Sequence, residues 1–290
     1  MTARLRLRPD LPVCWESPDT LRIGFERAHA RVVAPTAGQQ RLLGVLRTGI
    51  AESELPNAAR RAGATPREAR ELLAAVAPAC LPQPPRGPGG AGGPGGRPPP
   101  ATRIRVLDAG RPVPGFAAAL AHGLGDSAVW APQAESSDAP DAHGELIVGI
   151  ERFLEPLERA QRWLIAGTPH LLVRFTDTCV LVGPIVAPQG APCHTCAVLP
   201  VLQDDPAAAV LAAQLVETVP ASETAEVGVL AAALAVQLIG AWRRGEPHVG
   251  RTCSRVEVAG GRVAGTVERA EVRPHPECAC GALRPGRPPR

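Results

Sequence analysis

This chain has no lysine. Among its 290 residues the positive charge is carried by 31 arginines, set against 28 Asp and Glu, which leaves a net charge of only +3. Arginine grips phosphate bidentately, but enzymes that transfer phosphoryl or adenylyl groups usually add a lysine as a compact point charge, and none is available here. No block of like charge occurs, so neither a nucleic-acid stripe nor a polybasic membrane patch stands out. Tyrosine is absent, and Met, Phe and Trp number one, four and four. Beside abundant Ala, Arg, Gly and Pro, that poverty reads as coding bias rather than function. The first 25 residues lack an uninterrupted apolar core with a small-residue cleavage site, which points to a reducing, cytoplasmic setting where disulfides are rare. The longest apolar stretch, 227–242, is interrupted by Gln237 and Gly240 and is short for a bilayer, so a buried helix is expected and no membrane association.

An apolar fraction of 45% is enough for ordinary cores, and the length allows two domains. Residues 82–100 read PQPPRGPGGAGGPGGRPPP. Such a segment cannot bury apolar surface or hold a regular element, so it marks a tether spanning about 25 Å between a domain at 1–81 and one at 101–290. Before it, strand-like runs at 11–15, 21–25 and 31–34 precede helical patterns at 36–47 and 54–62. A third helix follows, in which Thr65-Pro66-Arg67-Glu68 supplies an N-cap, a proline at the first helical position and a capping-box glutamate. Two helices joined at Gly63 have the helix-turn-helix shape, which leaves open DNA contact through Arg67 and Arg70, merely solvated arginines, or peptide binding. Against DNA, the strands come first and Glu68 and Glu71 balance the arginines. For a peptide, the strand at 31–34 (Arg31, Val32, Val33) offers an edge, and Arg67, Arg70 and Leu72 or Leu73 would line the groove beside it.

After the linker, strands at 103–107, 145–150 and 169–175 alternate with helices at 116–123 and 154–164, the pattern of a doubly wound α/β sheet. Asp205-Pro206 is expected to start a helix ending near Glu217, and Ser222 to cap the apolar helix 227–242. Strands at 251–258 and 263–272 close the chain. A nucleotide-binding domain would place G-x-G-x-x-G after its first strand, whereas this loop offers only Gly110 and Gly115, with Pro112 and Pro114 removing N–H donors that a phosphate cradle needs. No nucleotide cofactor is expected.

Eight cysteines are present, four of them in two tight pairs, Cys193-His194-Thr195-Cys196 and Cys278-Ala279-Cys280. One or two intervening residues let two sulfurs chelate one ion, and two such pairs make a closed four-thiolate zinc site. Filled by sulfur at every position, it would be structural and not catalytic. A disulfide pairing, or His194 or His275 replacing a sulfur, are the competing readings. Cys14, Cys80, Cys179 and Cys253 sit singly among apolar residues as small buried side chains.

The run Thr168-Pro169-His170-Leu171-Leu172-Val173-Arg174, the run 182–188 (VGPIVAP), Pro192-Cys193-His194-Thr195-Cys196, Asp204-Asp205-Pro206, Ala213-Gln214-Leu215 and the closing 275–281 (HPECACG) together resemble the cyclodehydratase-associated ThiF-like proteins of azole-containing peptide biosynthesis. The opening at 8–13 (RPDLPV), with three strands then three helices, is similar to that family's leader-recognition winged helix. The resemblance implies a degenerate ThiF-like domain with structural zinc behind a winged helix. It also implies a catalytically silent protein that binds the leader of a ribosomally made precursor and presents its core to a YcaO-type cyclodehydratase for azoline formation. A homodimer built on the apolar helix 227–242 is a further expectation. No YcaO half is fused here, so the presence of that partner enzyme is itself an inference from the resemblance. A scaffold for another peptide or protein in an unrelated pathway, or an active ATP-dependent adenylyltransferase, is the alternative.

Overall fold

A computed structural model describes residues 4–81, 103–108, 111–125, 128–132, 145–187 and 192–280. The Pro/Gly-rich run 82–100 and Gly110 lie outside the described residues. Two compact units emerge. One is N-terminal and also includes Ala207–Glu217; the other is built from Gly95–Pro206 and Thr218–Arg290.

In the N-terminal unit β1 (Arg4–Leu7) precedes a meander of β2 (Val13–Ser17), β3 (Thr20–Ile23) and β4 (Ala30–Val33), paired antiparallel in the order β2-β3-β4. Helices α1 (Ala37–Thr48), α2 (Leu55–Ala62) and α3 (Pro66–Val76) follow, and two-residue strands β5 (Ile50–Ala51) and β6 (Cys80–Leu81) flank β1. Local chemistry sets the helix ends. Thr36 with Gln39 and Thr65 with Glu68 form capping boxes, each pair satisfying two otherwise orphaned N–H donors, and Pro66 takes the first turn of α3. Gly63 ends α2 at φ 72°, a left-handed conformation that favours glycine. Leu42, Leu46, Leu72 and Val76 pack with Ile23 and Val32 into one core. Arg22 is buried within it, its guanidinium donating to the carbonyls of Gly24 at 3.0 Å and Phe25 at 2.6 Å. The segment carried with this unit forms α7 (Ala208–Gln214).

The second unit is a mixed α/β domain on a seven-stranded sheet ordered β13-β12-β11-β10-β9-β7-β8. Strands β7 (Arg103–Asp108), β8 (Ala128–Pro132), β9 (Glu145–Arg152) and β10 (His170–Phe175) are parallel; β11 (Cys179–Val186), β12 (Thr252–Ala259) and β13 (Arg262–Glu271) continue antiparallel. Helices cover both faces. Leu146, Val148 and Ile150 meet α4 (Phe116–Leu124) and α8 (Ala225–Arg243), whereas Ile147 and Leu172 meet Trp163 of α5 (Glu158–Ile165). Gly149 is required there, because a Cβ would lie 2.8 Å from the Trp163 ring.

Three sequence expectations need correction. Thr224, not Ser222, caps α8 by accepting from the Val227 amide, while Ser222 is buried with its hydroxyl unpartnered. The helix expected from Asp205 ends at Gln214 and carries no side-chain cap. The apolar residues of α8 point mostly inward, with Val227, Ala231, Ala235 and Ile239 in the sheet core, so they are not available as a dimer core; Val229 is exposed. Among the described residues α8 is the single helix long and apolar enough to cross a membrane by length and composition, and half of it is buried inside this domain.

Candidate functional site

Helix α6 (His194–Asp204) starts at the first cysteine pair, and the second pair lies in the tail after β13. The Sγ atoms of Cys193, Cys196, Cys278 and Cys280 all lie within 4.8 Å of one another. Cys193 is 3.9 Å from Cys196 and 3.5 Å from Cys278, and Cys196 is 3.5 Å from Cys280. A tetrahedron of sulfurs about 2.3 Å from a zinc ion has edges of about 3.8 Å, so the donor set fits such a metal. All four are thiols rather than disulfides. Burial, reinforced by the neighbouring sulfurs of Cys193 and Cys196, pushes the Cys278 thiol up to about 11, and burial with its sulfur neighbours pushes Cys280 up as well. Burial works against ionising Cys196 too, yet hydrogen bonds from the backbone of His275 and Cys193 hold it below its usual value. Four crowded sulfurs resist common ionisation unless a cation joins them.

Neither histidine belongs to the sulfur cluster. His275 accepts from the Glu277 amide at 3.2 Å and meets Gln203 at 3.1 Å. His194 is buried, its Nε2 lying 3.2 Å from a Glu151 oxygen, and the other Glu151 oxygen accepts from Arg174 at 3.0 and 3.1 Å. Burial alone would raise the Glu151 carboxyl, but His194 and Arg174 override it and hold the group well below the usual range. This triad ties the start of α6 to the ends of β9 and β10, and no local spacing announced it.

A second buried network occupies the carboxyl ends of β7 and β9. Arg152, the last residue of β9, pairs with Asp108, the last of β7, and with Glu223. Beside it Arg111, from the loop after β7, also pairs with Glu223. That loop packs on α8: a Cβ on Gly228 would stand 2.2 Å from the Pro114 carbonyl oxygen, and one on Gly115, at φ 75°, 2.9 Å from Val229. Residues 113–115 are therefore wedged against a helix.

In the N-terminal unit the candidate peptide-binding residues divide by direction. Val33 is 69% exposed on β4, one edge of the meander; Arg31 is exposed and pairs with Glu16 at 2.5 Å. Val32 points into the core. The Ala34 amide donates to Asp19, so by antiparallel alternation the Val32 backbone faces β3 and the Val33 backbone faces outward. On α3 Leu72 is buried, Leu73 is half-buried, and Arg67 and Arg70 are exposed, with Arg67 paired to Glu71 at 2.7 Å and Arg70 donating to the Pro66 carbonyl at 3.2 Å. The opposite edge, β2, is capped. Gln214 accepts from the Trp15 amide at 2.8 Å and donates to the Trp15 carbonyl at 2.6 Å, a side-chain amide standing where a neighbouring strand would pair.

No family model and no curated protein matches this chain. Among solved structures it is similar to a heterocyclase in complex with substrate and cofactor, at 16% identity and a TM-score of 0.44 over 97% of this chain. The heterocyclase TruD gives 14% identity and a TM-score of 0.44, also over 97% of this chain. The E. coli microcin synthetase McbBCD complex gives 13% and 0.39, over 95% of this chain and 100% of the matched one. The chain spans 40% and 43% of the length of the two heterocyclases.

Proposed function

We propose that this protein is a non-catalytic scaffold that binds the leader of a ribosomally made precursor peptide and presents it to a YcaO-type cyclodehydratase for azoline formation. The reading rests first on the sequence motifs that resemble cyclodehydratase-associated ThiF-like proteins. The observation that carries it is the asymmetry of the meander β2-β3-β4. Gln214 closes one edge, and β4 presents the other with Val33 exposed and α3 nearby. An extended peptide adding to β4 would gain main-chain hydrogen bonds, while Val33, Leu73 and Arg70 offer apolar and cationic contacts for its side chains. In this reading the N-terminal unit is a winged helix and the second a ThiF-like domain.

The second unit would hold one zinc at Cys193, Cys196, Cys278 and Cys280, and the ion would supply cross-linking of the tail to α6 with no open coordination position. An adenylating role is disfavoured by the loop after β7, wedged on α8 at residues 113–115 and carrying Pro112 and Pro114, and by the lack of lysine. DNA binding is disfavoured by the acidic partner of Arg67 on α3.

The experiment is fluorescence polarisation of the full chain with synthetic candidate leader peptides, and in parallel with random duplex DNA. Saturable leader binding is expected, weakened about tenfold by Val33→Pro, which removes one edge donor worth ~1 kcal/mol and clashes with the incoming strand. Tight DNA binding with a steep salt dependence, and none to the leader, would overturn the reading.

A further inference from the structure

The sheet order reverses at β7: the chain leaves it for β8 on one side and returns to β9 on the other. In open α/β sheets the crevice at the carboxyl ends of two such strands is where ligands settle. Here that crevice holds four charged side chains. Arg111 donates to the two Glu223 oxygens at 3.1 and 3.0 Å, and Arg152 donates to the same two oxygens at 2.7 and 3.1 Å. One carboxylate is thus gripped by two guanidinium forks, the geometry by which proteins recognise a bound carboxylate or phosphate. Asp108 pairs with the far side of Arg152, so two cations face two anions. Glu223, Asp108 and Arg152 are nearly inaccessible to solvent.

We propose that this crevice is an oxyanion site which the chain fills with its own Glu223 carboxylate. Glu223 arrives on the segment before α8, 112 positions from Arg111 and 71 from Arg152. It enters as a ligand would, and it stays because the chain holds it at high effective concentration. Its neighbour Ser222 is fully buried with an unpartnered hydroxyl, and the Thr224 cap begins a 19-residue helix whose positive end adds to the preference for negative charge. Deleting the Glu223 carboxylate leaves a buried cavity with one cation in excess. The occupant it would take is a small carboxylate or phosphate, not a nucleotide, since the nearby residues 113–115 are packed on α8.

The test is anion rescue in the full chain. Wild type, Glu223→Ala and Glu223→Ala combined with Arg111→Ala are melted in chloride, formate, acetate and phosphate at one ionic strength. Expected are a lower midpoint for Glu223→Ala in chloride, a recovery of a few degrees in formate or phosphate, no such specific gain in wild type, and a weaker gain in the double variant. If Glu223→Ala is unfolded in chloride, the same anions are expected to restore its far-ultraviolet circular dichroism. Equal responses of wild type and Glu223→Ala to every anion, or no restoration of an unfolded variant, would overturn the proposal.

Discussion

The sulfur cluster and the arginine–glutamate cluster do the same mechanical work on opposite electrostatic terms. Each joins segments far apart in the chain, the first across residues 193–280 and the second across residues 108–223. The sulfur cluster brings together four thiols that could hold a metal ion as thiolates, and in that reading it draws its cation from outside. The other cluster brings two guanidinium groups to two carboxylates and is neutral by itself. A fold can therefore fasten its loops either by recruiting an ion or by supplying both partners, and only the first makes stability depend on what the solution contains.

That contrast is broken most directly by replacing Cys278 and Cys280 together with Ser. Removing half of the thiolates is expected to abolish metal retention and to forfeit stabilisation up to the order of 10 kcal/mol, read as loss of stoichiometric zinc in elemental analysis and loss of cooperative unfolding. Folded variant with an unchanged melting curve would contradict it. A strong chelator should lower the wild-type midpoint and leave the arginine cluster's contribution untouched.

Arg152→Met tests the self-sufficient cluster. It strands Asp108 and Glu223 without one of their shared partners, and the expected loss is about 3–5 kcal/mol in urea unfolding, independent of chelator. A loss below about 1 kcal/mol would mean that these buried carboxylates are stabilised elsewhere.

A smaller effect must be separated before acid is used to compare the two. His170 is fully buried; burial holds its imidazole down at about 4, although a hydrogen bond from Nδ1 to the Thr168 carbonyl opposes this. Its folded value lies below the ordinary one near 6.5, so the unfolded chain binds the proton more readily and stability falls as pH drops from about 6.5 towards 4, by roughly 3 kcal/mol at the limit. Glu155 works the other way: burial raises it to about 6, so it favours the folded state more as pH falls from 6 to about 4.5. Unfolding measured against pH for wild type and His170→Asn should show the His170 contribution as a shallower acid decline in the variant.

The two clusters also differ in how far sequence reading reached them. Cys-x-x-Cys and Cys-x-Cys declare a metal site because chelation is a local requirement, and the structure brings the four sulfurs together. Asp108, Arg111, Arg152 and Glu223 have no mutual spacing to read; only the return of the chain to one sheet crevice joins them. The same physics governs the fold. Helix α3 is legible from a capping box written within four residues and α1 from the helical spacing of Leu42, Leu43 and Leu46. Strand β11 was hidden by Gly183-Pro184 inside an apolar run, a pair that normally argues against a strand, and β5 and β6 are two-residue strands that exist only because β1 lies between them. Gln214 as a cap for Trp15 joins residues 199 positions apart and leaves no local signal.

The scaffold reading itself rests on which edge of the meander receives a peptide. Hydrogen exchange of the full chain, with and without the leader peptide, measures that edge residue by residue. Slowed exchange of the Val33 amide on β4, with the Trp15 amide already protected by Gln214 and unchanged, is the expected result. Saturating peptide that leaves Val33 exchange unaltered, or that protects β2 instead, would contradict strand addition at β4.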